Sequence, residues 1–144
     1  MSKSKFWLKL IGVAILLHII LIALSILEVA IYSWLIAPNK DEAFYKAHAQ
    51  ISGPWISGIC GSLIIFLLVR NFIKKNKDRH LTYTIALPLT YIALDILMLL
   101  PFNINWAEHL PIFLVANGAK VAASFLSYFI YISSMRPGQE CLTI

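Results

Sequence analysis

Residues 10–36 read LIGVAILLHIILIALSILEVAIYSWLI, an apolar run that contains one acidic side chain, Glu28, and no lysine or arginine. A membrane-spanning helix needs about 20 apolar residues to cross roughly 30 Å of hydrocarbon. This run is long enough to cross, and it is too long for the apolar core of a secretory signal, which has roughly 7 to 15 residues. We therefore expect it to stay in the membrane as the first of several spans.

Three further apolar runs follow, at about residues 51–73, 81–101 and 110–134. The four runs occupy most of the 144 residues, so the loops between them are short. The chain is 60% hydrophobic and 13% charged, with a mean hydropathy of +0.78, whereas soluble domains carry about one quarter charged residues. The sequence predicts an all-α membrane protein, built as a single four-helix transmembrane bundle over residues 1–144.

The basic residues form two clusters beside the apolar runs, and the net charge is +5. The clusters are Lys3, Lys5 and Lys9, and then Arg70, Lys74, Lys75, Lys77 and Arg79. The loop at 102–109 has no lysine or arginine. The excess of positive charge on cytoplasmic loops predicts that the N-terminus, the second loop and the C-terminus are cytoplasmic.

This orientation, with short loops, is typical of a multi-pass protein of a bacterial inner membrane. The clustering argues against a nucleic-acid partner, because the charge lies where it sets topology. The second basic cluster is also placed to bind anionic lipid head groups.

Charged side chains are costly inside a bilayer, so any that lie there are candidates for function. The runs contain Glu28, Asp95 and Lys120. Counting 1.5 Å per residue from the predicted outer helix ends places them about 12, 9 and 15 Å deep, respectively. The sequence thus predicts one layer in which both acids converge on Lys120. One acid would then keep its proton, because two carboxylates would face one ammonium group at low dielectric.

Helical periodicity adds three neighbours to this layer. Tyr91 lies one turn from Asp95, and Asn117 lies on the same face as Lys120, so both are expected to supply hydrogen bonds. His48, just before the second run, is expected to cap the layer. The candidate ligand-binding or proton-binding residues are therefore Glu28, Asp95, Lys120, Asn117, Tyr91 and His48. His18 is expected to be an interior histidine whose hydrogen bonds are satisfied.

The second run contains Gly53, Ser57 and Gly61, a spacing of small residues that favours close packing against another helix. Cys60 and Cys141 are isolated in sequence, so we expect no metal site, no disulfide chemistry and no cofactor. The last four residues, CLTI, have the form of a prenylation signal. Isoleucine is not a usual terminal residue of that signal, and we do not expect lipidation at Cys141.

Three functions stay open. The favoured one is a proton-linked binding or transport unit for a small molecule or ion, which would work as a homo-oligomer or with another membrane protein. The second is an enzyme acting on a lipid or isoprenoid-like substrate, with Asp95 or Glu28 as general acid/base and Lys120 stabilising negative charge. The third is a scaffold in which the polar layer fixes packing. A cavity at the polar layer would favour the first two.

Overall fold

The computed structural model describes residues 3–101 and 106–135, without the side chains of Lys3, Lys77, Trp106 and Glu108. Helix α1 covers Lys3–Ile31 and continues in a π-helical turn at Tyr32–Ile36; α2 covers Glu42–Lys75, followed by a short 3-10 turn at Lys77–Arg79; α3 covers His80–Leu99, and α4 covers Trp106–Met135. The expectations for residues 102–105 and for the tail with Cys141 lie outside the described residues.

Four of these helices are long and apolar enough to span a membrane, which confirms the four predicted spans and indicates a multi-pass membrane protein. The outside of the bundle agrees, since large apolar side chains such as Leu8, Ile26 and Leu126 are more than half exposed. In water such a surface would drive association. When this apolar surface faces lipid, it does not need to be buried against other protein.

Two helices begin earlier than hydropathy predicts. α1 starts by Lys3 rather than near residue 10, because its first turns pack into the bundle through the buried ring of Phe6. α2 starts at Glu42 rather than near residue 51, since the Asp41 carboxylate accepts a hydrogen bond from the Phe44 backbone N–H at 2.9 Å. Such a cap stabilises a helix start whose sequence is too polar to be read as a span.

The helices do not end at the same level. Lys9 lies over the Phe72 ring and Phe6 packs on Tyr83, so α1, α2 and α3 meet at one end of the bundle, called here the basic end. Starting from this end, α2 extends over 34 residues and α3 over 20. At 1.5 Å per residue, the two helices are about 51 and 30 Å long. At the opposite, distal end, α1 and α2 therefore continue past the end of α3.

α2 and α3 each pack against all three other helices, while α1 and α4 occupy opposite corners. The closest pair is α2 and α4, and small residues bring them together. A Cβ added at Gly58 would lie 3.6 Å from the Ala116 Cα, and one added at Gly61 would lie 2.6 Å from the Lys120 Cε. Gly53 differs, because an added Cβ there would meet nothing within 4 Å.

Gly61→Ala is expected to destabilise the bundle. The new methyl group would overlap Lys120, which is fully buried and held at its ammonium group, so the side chain cannot move aside. Overpacking of this kind costs about 1 to 3 kcal/mol, and thermal unfolding in detergent would measure it. Gly118→Ala is the matched control, since it meets no neighbour within 4 Å and should be neutral or stabilising. Equal unfolding temperatures for both variants would contradict the close contact.

Candidate functional site

A cavity of about 480 Å³ lies between α2, α3 and α4 in the distal half of the bundle. It forms where α3 ends, because α2 and α4 continue beyond Leu99 without that helix between them. Its walls are mostly apolar and include Leu99, Ile112 and Phe113. The polar side chains that line it are Gln50, Ser57, Asp95, His109 and Asn117. Apolar walls with a few polar groups are typical of a small-molecule site.

The Asp95 carboxylate lies at the inner end of this cavity. The Asn117 amide nitrogen donates to Asp95 Oδ2 at 3.1 Å, and His18 Nε2 faces Asp95 Oδ1 at 3.5 Å. The Asp95 side chain keeps 23% of its surface exposed. The Asp95 carboxyl group is therefore presented to the cavity, with Asn117 as its hydrogen-bond donor among the described residues.

The hydrogen bond from His18 to its own helix favours one tautomer of the ring. His18 Nδ1 is 2.8 Å from the Ala14 carbonyl oxygen, and because a carbonyl can only accept, Nδ1 carries the hydrogen. In a neutral imidazole the other nitrogen, Nε2, is then an acceptor. It faces Asp95 Oδ1, which is also an acceptor when ionised, and two bare acceptors at 3.5 Å repel each other. A proton placed between His18 Nε2 and Asp95 Oδ1 would turn this repulsion into a hydrogen bond.

Lys120 is fully buried and anchors the site from α4. Its ammonium group donates to Ser57 Oγ at 2.9 Å and to Asn117 Oδ1 at 3.3 Å, and it lies 4.7 Å from the centre of the Tyr91 ring. Asn117 thus bridges Lys120 and Asp95, with its oxygen accepting from one and its nitrogen donating to the other. The Tyr91 ring also stacks on His18 at 4.1 Å.

Glu28 is not part of this arrangement. Its carboxylate contacts His48 Nε2 at 2.7 Å and accepts from Ser52 Oγ at 2.9 Å, and the His48 ring stacks on Tyr32 at 3.6 Å. On α1, Glu28 follows Leu21, the residue that lies beside Gly61 at the level of Lys120. The seven intervening steps place Glu28 about 10 Å further toward the distal end.

The polar side chains therefore form two layers rather than the single predicted layer. The expectation that both acids converge on Lys120 is wrong. Depth was counted from helix ends that were taken as level, whereas α1 and α2 extend past α3. The structure brings together Asp95, Lys120, Asn117 and Tyr91, and it places Glu28 with His48 in the distal layer. Of the predicted packing residues, Ser57 and Gly61 contact Lys120 and Gly53 lines the cavity.

His18 is the site residue that sequence reasoning missed. A lone histidine in an apolar run is usually a satisfied interior residue, but here Nε2 lacks a hydrogen-bond partner within normal distance. The available signal was its place on the same helical face as Ser25 and Glu28. The offset between α1 and α3, which decides that His18 rather than Glu28 meets Asp95, is not encoded in hydropathy.

Comparison with protein-family models, with curated proteins and with solved structures found no match to this chain. Within residues 3–101 and 106–135, no group of three or more histidine, cysteine or acidic residues is placed to hold a metal ion.

Lys120→Met is expected to destabilise the protein by on the order of 3 kcal/mol, because it leaves buried polar partners and a nearby carboxylate without their cation. Chemical or thermal unfolding in detergent would measure the loss. Adding Asp95→Asn should recover part of it, since the uncompensated charge is then removed.

Adding Glu28→Gln to Lys120→Met is the matched control and should recover nothing, because Glu28 pairs with His48 in the other layer. Recovery by Glu28→Gln rather than by Asp95→Asn would restore the single-layer arrangement and contradict the two-layer one.

Proposed function

We propose that the cavity binds a monovalent amphipathic organic cation at Asp95, in exchange for the proton shared by His18 and Asp95. The observation that supports this most is a partly exposed carboxylate at the inner end of a largely apolar cavity. The apolar walls suit the hydrocarbon or aromatic part of such a ligand. The carboxylate suits its positive centre, because an opposite charge is favoured strongly where the dielectric is low.

The charge balance of the site favours exchange over simple addition. With the shared proton in place and Lys120 ionised, Asp95, His18 and Lys120 together carry one positive charge. Loss of that proton leaves them neutral, and binding of a monovalent cation restores the single positive charge. The proton-bound site and the cation-bound site therefore carry the same charge. Either the proton or the cation can then occupy this buried site at a similar electrostatic cost.

The exchange makes binding depend on pH. The titratable groups around Asp95 are His18 from α1, Lys120 from α4 and Tyr91 from its own helix, while α2 contributes the neutral Ser57. His109 of α4 also lines the cavity, nearer its distal end, and its protonation would add to the competition with the cation. When the pH falls, the proton occupies the His18–Asp95 pair and competes with the cation. When the pH rises, the carboxylate is freed and cation binding strengthens.

Movement of the cation across the membrane would require more than one copy of this bundle or a partner membrane protein. The cavity lies in the distal half, and the helices pack closely from the level of Gly61 toward the basic end. Four helices of this length leave little room for a second route. The transport form of the proposal therefore includes a homo-oligomer or a membrane-protein partner.

The contact between Lys120 and Ser57 favours a second candidate, a membrane-embedded acyl-transfer or hydrolytic enzyme. Ser57 lines the cavity and accepts a hydrogen bond from Lys120 Nζ at 2.9 Å. A deprotonated Lys120 amine would take the Ser57 proton, as the base does in serine–lysine hydrolases. An amphipathic ester entering the cavity would be the substrate class. This candidate does not predict any exchange of a cation for a proton.

Ethidium, a fluorescent monovalent amphipathic cation, is a direct probe of the exchange. Purified full-length chain in weakly buffered detergent should bind ethidium and release about one proton per ethidium bound, because the two compete for one carboxylate. Fluorescence and a pH indicator dye would report the two events together. Asp95→Asn should abolish both.

Glu28→Gln is the matched control, since it removes a carboxyl group of the same bundle outside the cavity and should leave both events unchanged. Ethidium binding without proton release would contradict the exchange. Equal binding by the wild type and Asp95→Asn would exclude Asp95 as the cation site and leave the enzyme candidate as the better account of the cavity.

A further inference from the structure

Helix α2 contains a proline, Pro54, in its distal half. Proline has no backbone N–H, so it cannot donate to the carbonyl oxygen four residues earlier in a helix. In α2 that oxygen belongs to Gln50, which lines the same cavity as Pro54. The Gln50 carbonyl therefore lacks the hydrogen bond that would close its turn of the helix.

The glycine before this proline leaves the Gln50 carbonyl uncovered. A carbonyl group in an α-helix points toward the C-terminal end, beside the residues three and four positions later. The third position is Gly53, which has no side chain and also lines the cavity. A Cβ added at Gly53 would meet nothing within 4 Å, so the space there is open. Pro54 thus removes the helical donor, and Gly53 leaves the oxygen accessible from the cavity.

Another proline shows how this bundle treats such a carbonyl where the helices pack closely. In α3, Pro88 leaves the Thr84 carbonyl without its helical donor, and Ser124 Oγ of α4 donates to that oxygen at 2.6 Å. In the part of the chain that the structure describes, no side chain donates to the Gln50 carbonyl. Membrane-spanning helices tolerate a freed carbonyl if a neighbour pairs with it or if it faces a cavity. The Gln50 carbonyl is of the second kind, so a bound ligand can supply its donor.

Asp95 and the Gln50 carbonyl lie at opposite ends of the cavity. Gly58 of α2 lies against Ala116 of α4. The next residue of α4, Asn117, donates to the Asp95 carboxylate. Gln50 precedes Gly58 by eight residues, which is about 12 Å at 1.5 Å per residue. Because the Gln50 carbonyl points back toward the inner end, about 10 Å separates the two acceptors along the bundle.

We infer that the Gln50 backbone carbonyl is a second recognition point of the cavity and accepts a hydrogen bond from an N–H group of the cation held at Asp95. The ligand class is then an elongated amphipathic cation with its charge at one end, an apolar or aromatic middle and an N–H donor at the other end. Allowing about 3 Å for each polar contact, the charged centre and the donor are about 5 Å apart. This inference rests on the proposed function.

The carbonyl also sets which cations the cavity rejects. A cation of the same shape without an N–H group would displace water from the carbonyl and leave the oxygen unpaired. An unpaired buried acceptor costs more than its missing hydrogen bond contributes to stability elsewhere, because its solvation is lost without replacement. The cavity should therefore discriminate between two cations that differ only in this donor.

The test compares ethidium with 5-ethyl-6-phenylphenanthridinium, which has the same cationic ring system without the two amino groups. Titration calorimetry of the full chain in detergent measures the dissociation constant of each compound. The wild type should bind ethidium about five- to tenfold more tightly, as expected for one hydrogen bond to a buried acceptor. Pro54→Ala supplies the missing backbone N–H, so ethidium should lose this advantage while the amino-free compound binds as before.

Gly53→Ser tests the same carbonyl with the proline in place, so that a change in helix shape cannot account for the result. Serines in this bundle donate to the carbonyl three residues earlier, as Ser33 and Ser133 do. A serine hydroxyl at this position would reach the Gln50 carbonyl, and ethidium should again lose its advantage. Pro111→Ala is the matched control. Pro111 is exposed, lies inside α4 and is outside the cavity lining, so its substitution should keep the wild-type ratio of dissociation constants.

An unchanged ratio in both Pro54→Ala and Gly53→Ser would overturn the role of the carbonyl, and it would leave the exchange at Asp95 intact if ethidium binding still requires that residue. Loss of the ethidium advantage in Pro111→Ala as well would also overturn the role of the carbonyl, because the effect would then not be specific to the cavity. If neither compound binds to the wild type, the proposed function fails and this inference fails with it.

Discussion

The interaction on which the rest of the bundle depends is the chain of hydrogen bonds from Ser57 through Lys120 and Asn117 to Asp95. A fully buried ammonium group is tolerated in a membrane-spanning helix only if the protein replaces the lost solvent. These bonds do so with side chains from α2, α3 and α4, and His18 adds α1. Because this chain of bonds joins α2, α3 and α4, satisfying Lys120 also fixes how far these three helices are shifted along one another.

The distal layer, formed by Glu28, His48, Ser52 and Tyr32, stabilises the packing of α1 against α2. α1 and α2 continue beyond α3, so the last turns of α1 and the first turns of α2 lack that helix as a support. The contact of Glu28 with His48 and Ser52, together with the stacking of Tyr32 on His48, joins the two helices there. Glu28 and Asp95 thus have different roles. Glu28 stabilises the packing of α1 against α2 at the distal end, and the Asp95 carboxyl group faces the cavity.

Hydropathy and helical periodicity predicted the four spans and the grouping of Asp95 with Asn117, Lys120 and Tyr91. Both signals act within one helix or between helices of similar depth. They could not predict that Glu28 lies in another layer, because hydropathy reports transfer into lipid and says nothing about the offset between helices. That offset is set by the contacts of α1 with its neighbours, such as Leu21 beside Gly61 and His18 beside Asp95. Hydropathy does not mark the early start of α2 either, since that start depends on the Asp41 cap rather than on apolar residues.

A proton that His18 and Asp95 share must leave the His18 ring environment when a cation binds. Nitrogen NMR of the His18 ring, in the full chain in lipid bilayers at neutral pH, would detect this, because the signal of each ring nitrogen reports whether it carries or accepts a proton. Nδ1 should be protonated throughout. Nε2 should be protonated or strongly hydrogen-bonded without a ligand, and it should become a bare acceptor when ethidium is added. A bare Nε2 already present without ethidium would contradict the shared proton.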